Sequence, residues 1–153
     1  MNSLELKIPP PAVALLLFGA MWAIAAVAPT IEPPAFIHLG AAAAIALAGG
    51  AVSLTGILTF RHAKTTLNPM KPEESSALVC SGIYRVTRNP MYLGLLLALL
   101  GWAIFLSCLW TLLGPLTFVV YMNRFQIVPE ESILAGIFGS DYLAYKSEVR
   151  RWL

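Results

Sequence analysis

The chain has 153 residues, of which 58% are hydrophobic and only 12% charged, and its mean hydropathy is +0.75. A soluble domain is nearer half apolar and a quarter charged, so composition excludes an ordinary soluble fold and leaves an integral membrane protein with room for about four or five helical spans. The net charge of +2 is small, the two cysteines (Cys80, Cys108) and two histidines (His38, His62) have no metal-ligand spacing, and neither a nucleic-acid partner nor a metal is expected.

The first apolar run, residues 12–28, reads "AVALLLFGAMWAIAAVA". It would cover about 26 Å as a helix, short but adequate for a span. Ala26-Val27-Ala28 mimics a signal-peptide cleavage site, but the run is longer than a usual signal core and Pro29 follows directly, so we read a span. The second run, residues 35–60, is uncharged, and its alanines and Gly49-Gly50 suit close helix packing. Residues 91–122 are almost unbroken in their apolarity. A single helix of that length would reach about 48 Å, too long for a hydrocarbon core of about 30 Å. It must fold back, with Ser107-Cys108 and Gly114-Pro115 as the candidate turns, giving spans at 91–106 and 109–124.

The resulting expectation is an all-α integral membrane bundle of four transmembrane helices, the last two a tight hairpin, in one domain over residues 1–153. Four spans put every lysine and arginine on one face, leaving only Glu32 on the opposite loops. By the positive-inside rule that face is cytoplasmic, and it holds both termini, the loop 61–90 and the tail 129–152. The loop is long for a compact connection, which favours a binding role. Its plain alternative is a basic segment meeting anionic lipid heads. In the tail, Pro129 suits a first helical position, with Glu130 and Glu131 in the first turn. Phe138-Gly139 reads as a helix end, and Ser140 or Asp141 can cap another helix. Tyr142, Tyr145, Val149 and Trp152 then share a face, as an interfacial helix or a lid over the bundle.

Phosphate-binding loops, dinucleotide fingerprints, a Ser-His-Asp set and an HExxH motif are all absent from the sequence. The unusual feature is paired. Arg88-Asn89-Pro90-Met91-Tyr92 opens one apolar run, and Glu130-Glu131 lies beyond the end of the next. The hairpin brings both to the same membrane edge. There the acids can bind hydroxyls or an ammonium group, and helix-terminal amides with Asn89 a carboxylate, which suits a zwitterionic molecule with an aromatic base. Alternatively, the acids only complement a helix N-terminus, and Arg88 only snorkels to the lipid surface.

The stretch "LVCSGIYRVTRNPMYLG", an apolar hairpin, and then "PEESILAGIFGSDYLAYKSEVRRW" resemble the isoprenylcysteine carboxyl methyltransferase and phospholipid methyltransferase superfamily, in its prokaryotic branch. The upstream "TTLNPMKPEESSALV" fits too, so the resemblance covers residues 64–152. It implies S-adenosylmethionine as methyl donor and S-adenosylhomocysteine as product, in a cytoplasmic pocket closed by the C-terminal helices. It assigns cofactor contacts to Ser76, Ala77, Leu78, Val79, Tyr84, Asn89, Pro90, Met91, Tyr92 and Glu130. It implies a lipophilic acceptor (a carboxylate, amine or thiol) entering from the bilayer, a membrane-lipid environment, and a location in a bacterial inner membrane. Arg88 is the candidate for an anionic acceptor group, and Glu131 or Glu130 for taking a proton from an amine; Arg88 and Glu131 are the catalytic candidates. Two departures stand out. Eukaryotic members place His where this chain has Asn89, which cannot titrate near neutrality. They also place an Arg against the substrate carboxylate where this chain has Gln126, which puts a prenylcysteine carboxylate in doubt. The competing readings are an NADPH-type membrane reductase and a non-catalytic lipid-binding subunit.

Overall fold

The computed structural model describes residues 5–31, 34–63 and 70–153. Glu32, Lys64 and the expected turn at Asn68-Pro69 lie outside them. The described residues are helical, with no strand among them. Five α-helices carry the fold: α1 (Pro10–Val27), α2 (Ala35–His62), α3 (Pro90–Leu106), α4 (Leu113–Tyr121) and α5 (Val128–Glu148).

Prolines start the first and third helices. Pro10 and Pro90 occupy first-turn positions, where a missing N–H costs nothing. α1 and α2 are long and apolar enough to cross a membrane, and α3 is a shorter apolar helix of 17 residues. Large apolar side chains such as Leu15, Leu16, Phe36, Leu47 and Leu116 are exposed, a surface suited to lipid rather than water.

The α2–α3 pair has the most extensive helix contact, and the two run antiparallel. The buried positions of α2 are Ala42, Gly49 and Gly56, seven apart, and they face Gly101, Gly94 and Pro90 of α3. A Cβ built on Gly49 would stand 2.6 Å from the Gly94 carbonyl oxygen, and one on Gly101 would stand 2.9 Å from that of Ala42. Backbone thus meets backbone along the seam, as small-residue helix pairs do. The seam also sets the register of the polar end. It brings Phe60, near the end of α2, into ring contact with Tyr84, at 5.1 Å between centroids.

The hairpin turns at Ser107-Cys108 rather than at Gly114-Pro115. Ser107 closes α3 in the left-handed conformation at φ 50°, and Cys108 is extended. A 3-10 turn, Leu109–Leu112, then leads into α4. Gly114 lies within α4, where Met21 of α1 packs directly over it and leaves no room for a Cβ. The Ser107 carbonyl accepts the Ile31 N–H at 2.7 Å, so the α1–α2 connection and the hairpin tip share one end of the bundle.

The tail departs from expectation. No gap separates it from the fourth apolar run. α4 continues through a π-helical turn, Met122–Ile127, straight into α5. Pro129 has no N–H for the Phe125 carbonyl four residues earlier. That carbonyl instead accepts the Leu6 N–H at 3.0 Å, and Glu5 pairs with Arg124 at 2.8 Å, docking the N-terminal segment on the π turn. Glu130 and Glu131 therefore cap no helix start. The expected break at Gly139 is present as a kink inside α5, with φ 52° and ψ −124°, a conformation that glycine adopts without steric cost.

Candidate functional site

Beyond the kink, Tyr142, Tyr145 and Val149 turn inward and pack with Val79 and Tyr84. Three of the four residues expected to share a face thus cover the polar end of the bundle, whereas Trp152, past the end of α5, packs on the other core cluster. Beneath the three lies a cleft of about 750 Å³, open mouth included, between the end of α2, the 72–79 loop, the entrance of α3 and the first turns of α5.

The two sequence motifs meet in this cleft. The Tyr92 hydroxyl donates to Glu130 Oε2 at 3.0 Å. Gln126 hydrogen-bonds both groups from the π turn. A π turn adds a residue to the helical repeat, and here Gln126 and Ile127 are both buried. Burial raises the Glu130 carboxyl to about 7; the Tyr92 and Gln126 hydrogen bonds oppose that rise and the neighbouring Glu131 charge adds to it.

Glu131 is the opposite case. Burial disfavours its charge, but hydrogen bonds from Arg151 and Lys146 and the charge of Arg88 outweigh that and hold it below the usual carboxylate range. Arg151 Nε lies 2.9 Å from Oε1, Arg88 Nη1 3.2 Å from Oε1 and Lys146 Nζ 3.0 Å from Oε2. Both oxygens are engaged, so Glu131 is poorly placed to take a proton. Arg88, with 10% side-chain exposure, belongs to this buried network and is no snorkelling anchor.

Two donors here lack a partner among the described residues: the buried Tyr84 hydroxyl and Arg88 Nε. Unsatisfied buried polar atoms are rare enough to need explaining, and both residues line the cleft. Burial pushes the Tyr84 phenol far above its ordinary value, with the Glu130 charge adding to the effect. Burial likewise raises Tyr142 to about 12. The cleft therefore offers an acid near its titration midpoint, free donors and aromatic walls.

Of the residues singled out from sequence, Ala77, Leu78, Val79, Tyr84, Arg88, Asn89, Met91, Tyr92, Glu130 and Glu131 line the cleft. Ser76 does not, although its neighbours Ser75 and Ala77 do. Pro90 is buried behind the wall, against Gly56, where it starts α3. Asn89 is in the lining, but its amide Nδ2 donates to the Arg151 carbonyl at 2.9 Å rather than into the cleft. Phe60, Pro72, Ser75, Ile127, Leu134, Tyr142 and Tyr145 also line it and escaped the sequence reading as ligand contacts. Ile127, Glu130, Glu131 and Leu134 follow helical spacing, a signal that was available. Phe60 carried none, because it ends an apolar run.

An apolar helical bundle with a polar, acid-bearing cleft at one end defines the class as a helical membrane protein with a candidate site in that cleft. The family profile for phospholipid methyltransferase matches residues 37–141, and the chain belongs to that family. It is 48% identical over 63 residues to an uncharacterized protein of Haemophilus influenzae, covering all of that protein and 41% of this chain. It is 32% identical over 98 residues to protein-S-isoprenylcysteine O-methyltransferase B of Arabidopsis thaliana, covering 62% of this chain and 48% of the relative. With the Saccharomyces cerevisiae protein-S-isoprenylcysteine O-methyltransferase the identity is 31% over 99 residues, 60% of this chain and 38% of the relative. The chain thus spans about half or less of the length of these named methyltransferases.

Proposed function

We propose that the protein is an S-adenosylmethionine-dependent methyltransferase acting on a lipophilic acceptor at the cytoplasmic face of a bacterial inner membrane. In this reading residues 1–153 form one domain with four spans, and the tail closes the cleft from the cytoplasm. The observation that carries the proposal is the meeting of Tyr92 and Glu130 in one cleft, braced from behind by Gln126, that also holds two donors with no partner among the described residues.

The residues present fit the cofactor. Phe60, Tyr84 and Tyr145 offer aromatic surface to a nucleobase. The Glu130 carboxylate can accept from ribose hydroxyls or the ammonium group, and Arg88 Nε with the Tyr84 hydroxyl can donate to the carboxylate. When bound, the cofactor supplies a methyl group on a sulfonium, ready for in-line attack. The chain's own work is to orient the reactants and exclude water. A carboxylate acceptor needs no base. An amine acceptor must lose a proton, and Glu130, titrating near 7, suits that step better than the cation-bound Glu131. Gln126 is buried against Glu130 and is an amide where the resembling eukaryotic enzymes place a carboxylate-binding arginine, which favours an uncharged or amine acceptor.

Two predictions follow from the acid. A cationic ligand needs Glu130 ionised, so affinity should be full above about pH 8 and fall about tenfold per unit below pH 7. The ligand-free protein should respond in the opposite sense. A carboxyl raised in the folded state adds stability below its unfolded pKa and loses it as pH rises through about 7. Calorimetric titration between about pH 6 and 8.5 checks the first, and thermal melts from pH 4.5 to about 8 check the second. Tyr92→Phe removes one donor to Glu130 and should weaken S-adenosylhomocysteine binding about fivefold, the worth of roughly 1 kcal/mol.

The test of the reading is ligand selectivity. S-adenosylhomocysteine should raise the thermal midpoint of the detergent-solubilised protein in a saturable way, and NADPH should not. The reverse pattern would favour a reductase, and stabilisation by neither would favour a non-catalytic subunit.

A further inference from the structure

Val149 leaves helical geometry, and the segment after it runs against the entrance of α3. Its backbone is stitched to the entrance of α3. The Arg150 carbonyl accepts the Arg88 N–H at 3.0 Å. The Arg151 carbonyl accepts Asn89 Nδ2 at 2.9 Å and the Thr87 hydroxyl at 3.3 Å. Side chains secure the other edge. Arg151 donates Nε and Nη2 to the two oxygens of Glu131, each at 2.9 Å, a bidentate fork. Its Nη1 lies 3.5 Å from Asn123 Oδ1, which also accepts Trp152 Nε1 at 3.1 Å. One arginine thereby joins three elements: the entrance of α3 through its carbonyl, α5 through Glu131, and the π turn through Asn123.

What Arg151 holds is the cleft wall. Asn89, Glu131 and Arg88, itself paired to Glu131, all line the cleft, whereas Arg151 does not. Without the fork, Glu131 would keep Arg88 and the half-exposed Lys146, and the segment that holds the Arg88 N–H and the Asn89 amide would lose its side-chain anchor on α5. The main helix seam between α2 and α3 lies elsewhere and owes nothing to this tie.

We propose that Arg151 is a positioning residue: the segment 149–152 is a latch that sets Arg88 and Asn89 in the cleft wall, and cofactor affinity depends on it. The cofactor part rests on the functional reading above; the latch itself does not.

The experiment uses the full chain in detergent. S-adenosylhomocysteine titration is paired with hydrogen exchange at the Arg88 amide, measured without ligand. Arg151→Ala should weaken binding about tenfold or more and strip protection from the Arg88 amide. Arg151→Lys keeps the charge and stem but cannot form the fork, and should rescue neither readout. Arg150→Ala, which alters an exposed side chain and leaves the backbone tie, should change neither. If Arg151→Ala does not fold, Arg151→Lys decides. Wild-type affinity and wild-type protection in Arg151→Lys would overturn the latch. A wild-type chain that binds no S-adenosylhomocysteine contradicts the functional reading instead, and the exchange at Arg88 then decides the latch alone.

Discussion

Glu130→Gln lowers S-adenosylhomocysteine affinity by one to two orders of magnitude and leaves the chain folded. A hydrogen bond to a charged group is worth about 1.5–3 kcal/mol, which converts to a factor of about 10 to 150. The amide keeps the shape of the acid and still offers an oxygen to the Tyr92 hydroxyl, so the wall survives. Stability should move the other way. Burial disfavours ionised Glu130 in the free protein, so the Gln variant should melt no lower than wild type at pH 8. Weaker binding with equal or greater stability marks a residue held for its ligand. Weaker binding with a large fall in melting temperature would instead mark Glu130 as a packing residue.

The second large effect concerns neighbouring glycines. Gly49→Ala puts a Cβ 2.6 Å from the Gly94 carbonyl oxygen and 2.9 Å from Leu97 Cβ, both on α3. Neither is the far end of a flexible side chain, so the helices must part. Overpacking costs about 1–3 kcal/mol where side chains can adjust, and a backbone obstacle puts Gly49→Ala at or above the top of that range. Gly50→Ala meets nothing within 4 Å and should gain from helix propensity, by about 0.5–1 kcal/mol. Thermal melts of the two variants in the same detergent give the comparison. Gly49→Ala should also weaken the ligand site, because the seam sets Phe60 against Tyr84. Equal melting temperatures would mean that α2 and α3 do not pack as described.

These tests address the parts of the molecule that sequence made legible to different degrees. The hairpin was readable because residues 91–122 are too long and too apolar for one span, and the turn fell at Ser107-Cys108, one of the two candidate positions. The convergence of Tyr92 and Glu130 was readable for the same reason, since a hairpin must return its ends to one edge. The π turn was not. Pro129 followed by two acids is the ordinary signature of a helix start, and only the docking of Leu6 on Phe125 reveals how the helix continues through it. The role of Asn89 was hidden too. An exposed amide at a helix mouth suggests a ligand, while its partner, the Arg151 carbonyl, lies some sixty residues away in a segment read only for its aromatic face. That face itself was seen, but its direction was open, because tyrosines suit a membrane interface as well as a cleft wall.

The central claim is methyl transfer, and labelled donor measures it directly. Membranes containing the protein are incubated with methyl-labelled S-adenosylmethionine and a total lipid extract, beside membranes containing Glu130→Gln. The account predicts label in a lipid-soluble product with the wild type, saturating with donor, and near-background label with the variant. Equal label from both, or none from the wild type against lipids and prenylcysteine analogues alike, would contradict it.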